Sequence, residues 1–363
     1  MTAVLHPHPA AALAAPSRPL AAPAFLRRIW RPATDLAVDL GTANTLVVVQ
    51  GEGLVLDEPT VAAVGPGGEV LGAGLDAKRM IGRAPAGVRV IRPLKDGVIA
   101  DFSVAEQLLR TFLRRVLDRH LIRMKPSVLV CVPSCITDVE RRAVRDAARS
   151  AGAKRLRTVD EPVAAAIGAG LPVNEPSGSL VVDVGGGTTD VAVLSLGSVV
   201  CDASIRTGGD AMDQAIVQFL RKHYNLLVGD ATAERVKLAL GSAAPFEVEQ
   251  TLPVRGRDLI SGLPRTVTVE SVGVRDAMHE PVQRIVNAVR RVLEATPPEL
   301  SRDLVDRGIV LTGGGAMIRG LDALLTYETG LPVRVDLDPL TSVVRGTGMI
   351  LGEPGRWADV LAA

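Results

Sequence analysis

Two α/β domains of similar design, set face to face, are what this sequence predicts. Three observations carry the reading. Residues 35–49 read as strand, glycine-containing turn and strand, and residues 179–193 repeat that pattern after an Asp. The two hairpins lie roughly 140 residues apart, the size of a domain, so this is one unit used twice and not a short-period solenoid. Residues 308–316 add a buried-type strand running into three glycines and then a helix. A chain of 363 residues is long enough for two domains. Its 47% hydrophobic content affords a sizeable core, which the 2% aromatic content requires to be built from Val, Leu, Ile and Ala.

Taken in order, residues 1–23 are rich in Ala and Pro and read as disordered. They lack the leading basic cluster and apolar run of a signal peptide. Residues 25–31 then place Phe25, Leu26, Ile29 and Trp30 on one arc of a helical wheel and Arg27, Arg28 and Arg31 on the other. Such a short basic amphipathic helix reads as interfacial, and a helix packed on the domain is the plainer alternative. No apolar stretch reaches eighteen residues, so nothing is expected to span a membrane. After the first hairpin, residues 103–120 read as a helix capped by Ser103 with Glu106 closing a capping box. Its apolar face is Val104, Leu108, Leu109, Phe112, Val116 and Leu117. Residues 127–132 form a β-branched strand, and Thr137 opens the next helix. Residues 181–184 and 308–311 read as buried strands, and 211–224 and 282–295 as helices. Residues 229–275 alternate helix with short, turn-rich strand, as an inserted subdomain would.

A net charge of +1 argues against a nucleic-acid binder working through a basic field. Cys131, Cys135 and Cys201 have no His or second Cys pair near them, so they read as thiols in a reducing cytoplasm and not as a zinc site. The chemistry lies in the glycine turns. A phosphate chain needs backbone N–H groups that can approach closely, which glycine permits. Gly41, Thr42, Ala43 and Asn44 form one such turn, and Gly185, Gly186, Gly187 and Thr188 the other. Asp39 and Asp183 stand just before them, where a carboxylate repels phosphate unless a cation intervenes; a hydrated Mg²⁺ meets that need. One such turn alone is more simply an ordinary hairpin turn with Asp as turn former, and it is the pair that reverses the balance. In the third element, Gly313, Gly314, Gly315 and Ala316 read either as a surface for a flat base or as a tight strand-to-helix turn.

These segments resemble the phosphate and adenosine loops of the actin, sugar-kinase and heat-shock-chaperone superfamily. Within it, the chain is similar to the MreB family of bacterial actin homologues. Residues 39–45, 91–101, 136–143, 161–168, 232–237 and 296–300 match that family in order, over about 35–351. The resemblance implies an actin-like fold of ribonuclease H-like duplicated domains, with ATP or GTP and Mg²⁺ in the interdomain cleft. It implies a leader over 1–33, a first domain over 34–175 with an insert at about 57–102, a second over 176–339 with an insert at about 225–280, and a return to the first over 340–363. It places Gly41 to Asn44 and Gly185 to Thr188 on phosphate, Asp39 and Asp183 on the metal through water, Glu234, Arg235, Val236 and Lys237 beside the nucleoside, and Gly313 to Ala316 against it. Read from spacing alone, Glu234 and Lys237 are a solvated charge pair.

The resemblance also assigns Glu140 to the attacking water, whereas Thr137-x-x-Glu140 is by spacing a capping box. It implies self-assembly into filaments of paired protofilaments, attachment at the inner face of the cell membrane through the 25–31 helix and through Leu121 and Ile122, and work with cell-wall synthesis and shape proteins. Slow hydrolysis would time the polymer. Asp57, Asp190 and Ala211 depart from the residues usual in the family. A nucleotide-binding scaffold with negligible hydrolysis therefore stays open as the alternative. A kinase would need an Asp base and sugar-binding loop that cannot be placed. A chaperone would need a substrate domain, and about fifty residues follow Gly313.

Overall fold

A computed structural model describes residues 35–118, 126–134 and 136–361. Two five-stranded sheets organise them. In the first, Gly53–Pro59, Asn44–Val49 and Leu36–Leu40 form an antiparallel meander, and Ser127–Val132 and Arg155–Asp160 extend it in parallel. In the second, Ser198–Ile205, Thr189–Ser195 and Ser179–Val184 form the meander, and Ile309–Thr312 and Val333–Val335 extend it in parallel. The order and sense of the strands are the same in both. Each meander also breaks register between its outer two strands, at Val47/Val48 and at Val193/Leu194. The repeated hairpin is thus the visible part of a repeated sheet. A two-residue side-chain period sends alternate residues to opposite faces, and both central strands use it to serve two cores.

On the outer face of the first sheet, Leu36, Val38 and Leu40 pack with Leu108, Leu109, Phe112 and Leu113 of the helix Phe102–Leu117. On the outer face of the second, Leu180, Val182 and Val184 pack with Met212 and Ile216 of the helix Gly209–Tyr224 and with Ile285 and Val289 of the helix Ser271–Ala295. The inner faces meet in a third core. There Ala37 and Leu129 from one sheet and Val181, Ala192 and Leu194 from the other share two helices, Glu161–Gly168 and Ser342–Gly352. Small side chains dominate this layer, because each helix must fit between two sheets and against the other helix.

Two smaller sheets flank these. Ala62–Val64 pairs with Val70–Ala73 and Arg89–Ile91, beside the short helix Leu75–Arg79. Leu226–Leu227, Thr251–Asp258 and Pro264–Glu270 form the other, beside the helix Asp230–Leu240. Two local expectations need correcting. The helix Phe102–Leu117 is capped by Asp101, whose carboxylate accepts from the Val104 N–H, so Ser103 lies inside the first turn. The helix read over 282–295 begins at Ser271 and carries Pro281 in its interior, buried. The expected strand, triple glycine and helix are present in that order: Ile309–Thr312, a 3₁₀ turn over Gly314–Met317, and the helix Leu321–Thr329. No described helix is long and apolar enough to cross a membrane. Phe25, Leu26, Ile29, Trp30, Leu121, Ile122 and Cys135 lie outside the described residues.

Candidate nucleotide site

Both hairpin turns open on the same side, and a cavity of about 410 Å³ lies between them. Gly41, Thr42, Ala43 and Asn44 line one wall and Gly185, Gly186, Gly187 and Thr188 the facing one. The first turn is braced from behind by Thr60. Its N–H donates to the Ala43 carbonyl and its hydroxyl to the Gly41 carbonyl, at 2.9 and 2.8 Å. The second is braced by the start of the helix Gly209–Tyr224, where the N–H groups of Gly209 and Asp210 donate to the carbonyls of Gly185 and Gly186. The two turns approach so closely that a Cβ on Gly186 would stand 2.7 Å from that of Ala43. Only glycine fits there.

Asp39 and Asp183 end their strands at the floor of the cavity. Burial pushes each carboxyl up to about 7; for Asp183 the neighbouring Asp190 and Asp39 add to the rise. Oδ1 of Asp183 and the Thr312 hydroxyl beside it are buried and reach no hydrogen-bond partner of good geometry. A buried carboxylate oxygen without a donor is costly, and a hydrated divalent cation would relieve it. No cluster of three or more metal-ligating side chains occurs among the described residues. These residues therefore fit a Mg²⁺ that keeps its waters and shares phosphate oxygens, not one caged by protein.

Further along the cavity, the Lys237 ammonium is fixed by Asp213 Oδ2 and the Gly209 carbonyl, each at 2.9 Å. Glu234 shares its helix face and also lines the cavity. Arg235 is exposed and Val236 is fully buried in the second core, so neither lines it. Gly313, Gly314 and Gly315 line the cavity's far end, and Ala316 sits behind them. Part of the demand for this triple glycine is internal. Gly313 has φ 79°, and a Cβ on it would stand 2.4 Å from the Val184 carbonyl.

Glu140 is not among the lining residues. Its carboxylate accepts from both the N–H and the hydroxyl of Thr137 at 2.8 Å, completing the capping box of the helix Asp138–Ser150. Those two bonds hold its carboxyl below the usual range. Glu161, by contrast, opens the helix Glu161–Gly168, is only 8% exposed and lines the cavity with Asp39 and Asp183. The buried Cys131 thiol is pushed up by desolvation and then by Asp39, Glu161 and Asp183.

The MreB/Mbl protein family model matches residues 33–357. The chain belongs to the MreB/Mbl family. It is 52% identical to the cell shape-determining protein MreB of Escherichia coli over 322 residues, covering 87% of this chain and 93% of that protein. With the cell shape-determining protein Mbl of Bacillus subtilis it shares 48% over 320 residues, 88% of this chain and 96% of the other. Among solved structures, MreB5 of Spiroplasma citri bound to AMPPNP superposes with a TM-score of 0.84 at 34% identity, covering 91% of this chain and 99% of that one. The MamK double helical filament shares the fold at a TM-score of 0.74 and 21% identity. An actin-like MreB/Mbl fold thus supplies the duplicated sheets and the cavity between their turns. Sequence reasoning passed over Glu161 within this family's 161–168 segment, because a Glu before Pro in a first helical turn reads as a helix-dipole residue. What signals its place in the cavity lining is that it directly follows the strand Arg155–Asp160, whose parallel pairing carries it to the same edge as Asp39.

Proposed function

We propose that this protein is an ATP-binding, membrane-associated cytoskeletal filament protein that organises cell-wall synthesis and cell shape, with slow Mg²⁺-dependent hydrolysis tied to polymer dynamics. The observation that carries the nucleotide reading is the pair of glycine turns facing each other over Asp39 and Asp183. The AMPPNP bound to the Spiroplasma relative supports it, and the names of the MreB and Mbl relatives support the role in cell shape. In this reading the two halves, 34–175 and 176–339, hold the nucleotide between them. Thr42 to Asn44 and Gly185 to Gly187 bind phosphate, Glu234 and Lys237 the sugar, and Gly313 to Gly315 the nucleoside. When bound, Mg²⁺ would neutralise phosphate charge between Asp39 and Asp183. The test is flotation of the full chain with anionic vesicles, with Mg-ATP, Mg-ADP and no nucleotide. ATP-dependent assembly on vesicles that high salt weakens is the expected result, and replacement of Ile29 and Trp30 by Ser should release the polymer. Equal flotation under all conditions overturns the coupled reading.

We further propose that Glu161, which lines the cavity, positions the attacking water in place of Glu140. A carboxylate that lines the cavity, as that of Glu161 does, can accept a hydrogen bond from the attacking water, whereas Glu140 lies off the cavity lining with its Oε2 engaged by Thr137. Glu161→Gln is expected to slow phosphate release by roughly ten-fold or more with ATP affinity retained. Glu140→Ala is expected to leave hydrolysis unchanged and lower the melting temperature. Comparing single-turnover rates with thermal melts separates the two, and a slow Glu140→Ala enzyme with a parental Glu161→Gln would reverse the assignment.

A further inference from the structure

Two ion pairs among the cavity's lining residues join different parts of the fold. Lys78, on the short helix Leu75–Arg79, stands 3.4 Å from Glu234 on the helix Asp230–Leu240. Arg92, just after the strand Arg89–Ile91, donates from Nη1 to both carboxylate oxygens of Asp210 at 3.0 and 3.1 Å, and Asp210 lies in the first turn of the helix Gly209–Tyr224. All four residues line the cavity. Both cations come from the side of the first glycine turn and both anions from the side of the second. The segment after Arg92 continues across the opening. There the Gly97 N–H donates to the Thr42 hydroxyl at 3.1 Å, and Gly97 packs against Thr188 of the opposite wall.

We propose that Lys78–Glu234 and Arg92–Asp210 form a two-point latch over the cavity that sets how fast nucleotide enters and leaves. The inference rests on the nucleotide reading above. Each partner is about one-third exposed, so each pair is individually weak and screened by salt, as a reversible latch must be. Because Glu234 and Asp210 sit on separate helices, both pairs must open for the two walls to part, which makes their effects on opening multiply. Glu234 serves both states. A carboxylate has about four lone-pair sites, so it can keep Lys78 while it accepts a sugar hydroxyl.

The test is release of radiolabelled Mg-ADP from the full chain, chased with unlabelled ADP. Lys78→Ala and Arg92→Ala are each expected to speed release by about two- to five-fold, and the double variant by about four- to twenty-five-fold. Raising salt should speed the parent and leave the double variant flat. Arg92→Asp combined with Asp210→Arg should return release toward the parent rate, which lost packing alone would not allow. Parental release in the double variant, with no salt dependence in either, overturns the latch. Should the parent not bind ADP at all, the nucleotide reading fails separately. The latch is then judged by hydrogen exchange of the ligand-free chain at Gly97 and residues 185–188, where the double variant must lose protection; unchanged protection refutes it.

Discussion

Asp183→Asn is expected to abolish Mg²⁺-dependent ATP binding and, at the same time, to stabilise the ligand-free protein at neutral pH. Both effects come from one oxygen. Oδ1 of Asp183 is buried and reaches no donor of good geometry, and burial together with Asp190 and Asp39 raises the carboxyl to about 7 against a lowering contact from Thr312. Its unfolded value is near 3.8. Between those values the folded chain binds more protons than the unfolded one, so stability falls as pH rises through that window and stays low above it. A rise of this size corresponds to a destabilisation on the order of a few kcal/mol at pH 8. The amide keeps the shape and removes the charge. The ligand-free variant should therefore melt higher than the parent at pH 8 and similarly near pH 4, read by thermal melts across pH. Calorimetry with Mg-ATP should find no binding, because the phosphates then lose the carboxylate that anchors their cation. Parental affinity in the variant would remove Asp183 from the site.

That trade between stability and binding was half legible in the sequence. The Asp-then-Gly turns announced themselves because a carboxylate followed by glycines and hydroxyls is a local pattern, repeated one domain apart. The capping box at Thr137 was equally local, and the structure contains both of its bonds. What escaped depended on distant chain segments. Glu161 enters the cavity only through the parallel pairing of Arg155–Asp160 with Ser127–Val132 and of that strand with Leu36–Leu40. Lys78 and Arg92 meet partners more than a hundred positions away. The start of the helix Ser271–Ala295 escaped for a different reason. Pro281 reads as a helix start because it lacks an N–H, yet here it lies buried within the helix, where packing of Val274, Met278 and Val282 outweighs one lost hydrogen bond.

Gly346→Ala is expected to destabilise the protein strongly, against the usual sign of that substitution. In a helix interior alanine is normally favoured over glycine by about 1 kcal/mol. Gly346 lies inside the helix Ser342–Gly352, where a Cβ would stand 1.8 Å from the Ala164 carbonyl oxygen and 2.8 Å from the Gly168 amide nitrogen. From the other side, a Cβ on Gly168 would stand 1.8 Å from the Ser342 carbonyl oxygen. The two helices thus cross backbone against backbone, in the one layer that both sheets share. No rotamer change can absorb the clash, since the atoms struck are main chain. The helices must separate, and separating them loosens Val163, Ile167, Val343 and Ile350 from the sheets on either side. Overpacking of this kind costs typically 1–3 kcal/mol, and the rigid backbone contact puts Gly346→Ala at or above the upper end. Gly352, at the end of the same helix, has nothing within 4 Å of its Cβ position, so Gly352→Ala is the control and should be neutral or mildly stabilising. Denaturant melts of the two variants decide the matter: a Gly346→Ala midpoint equal to that of Gly352→Ala would mean that the helices do not cross in contact at this point.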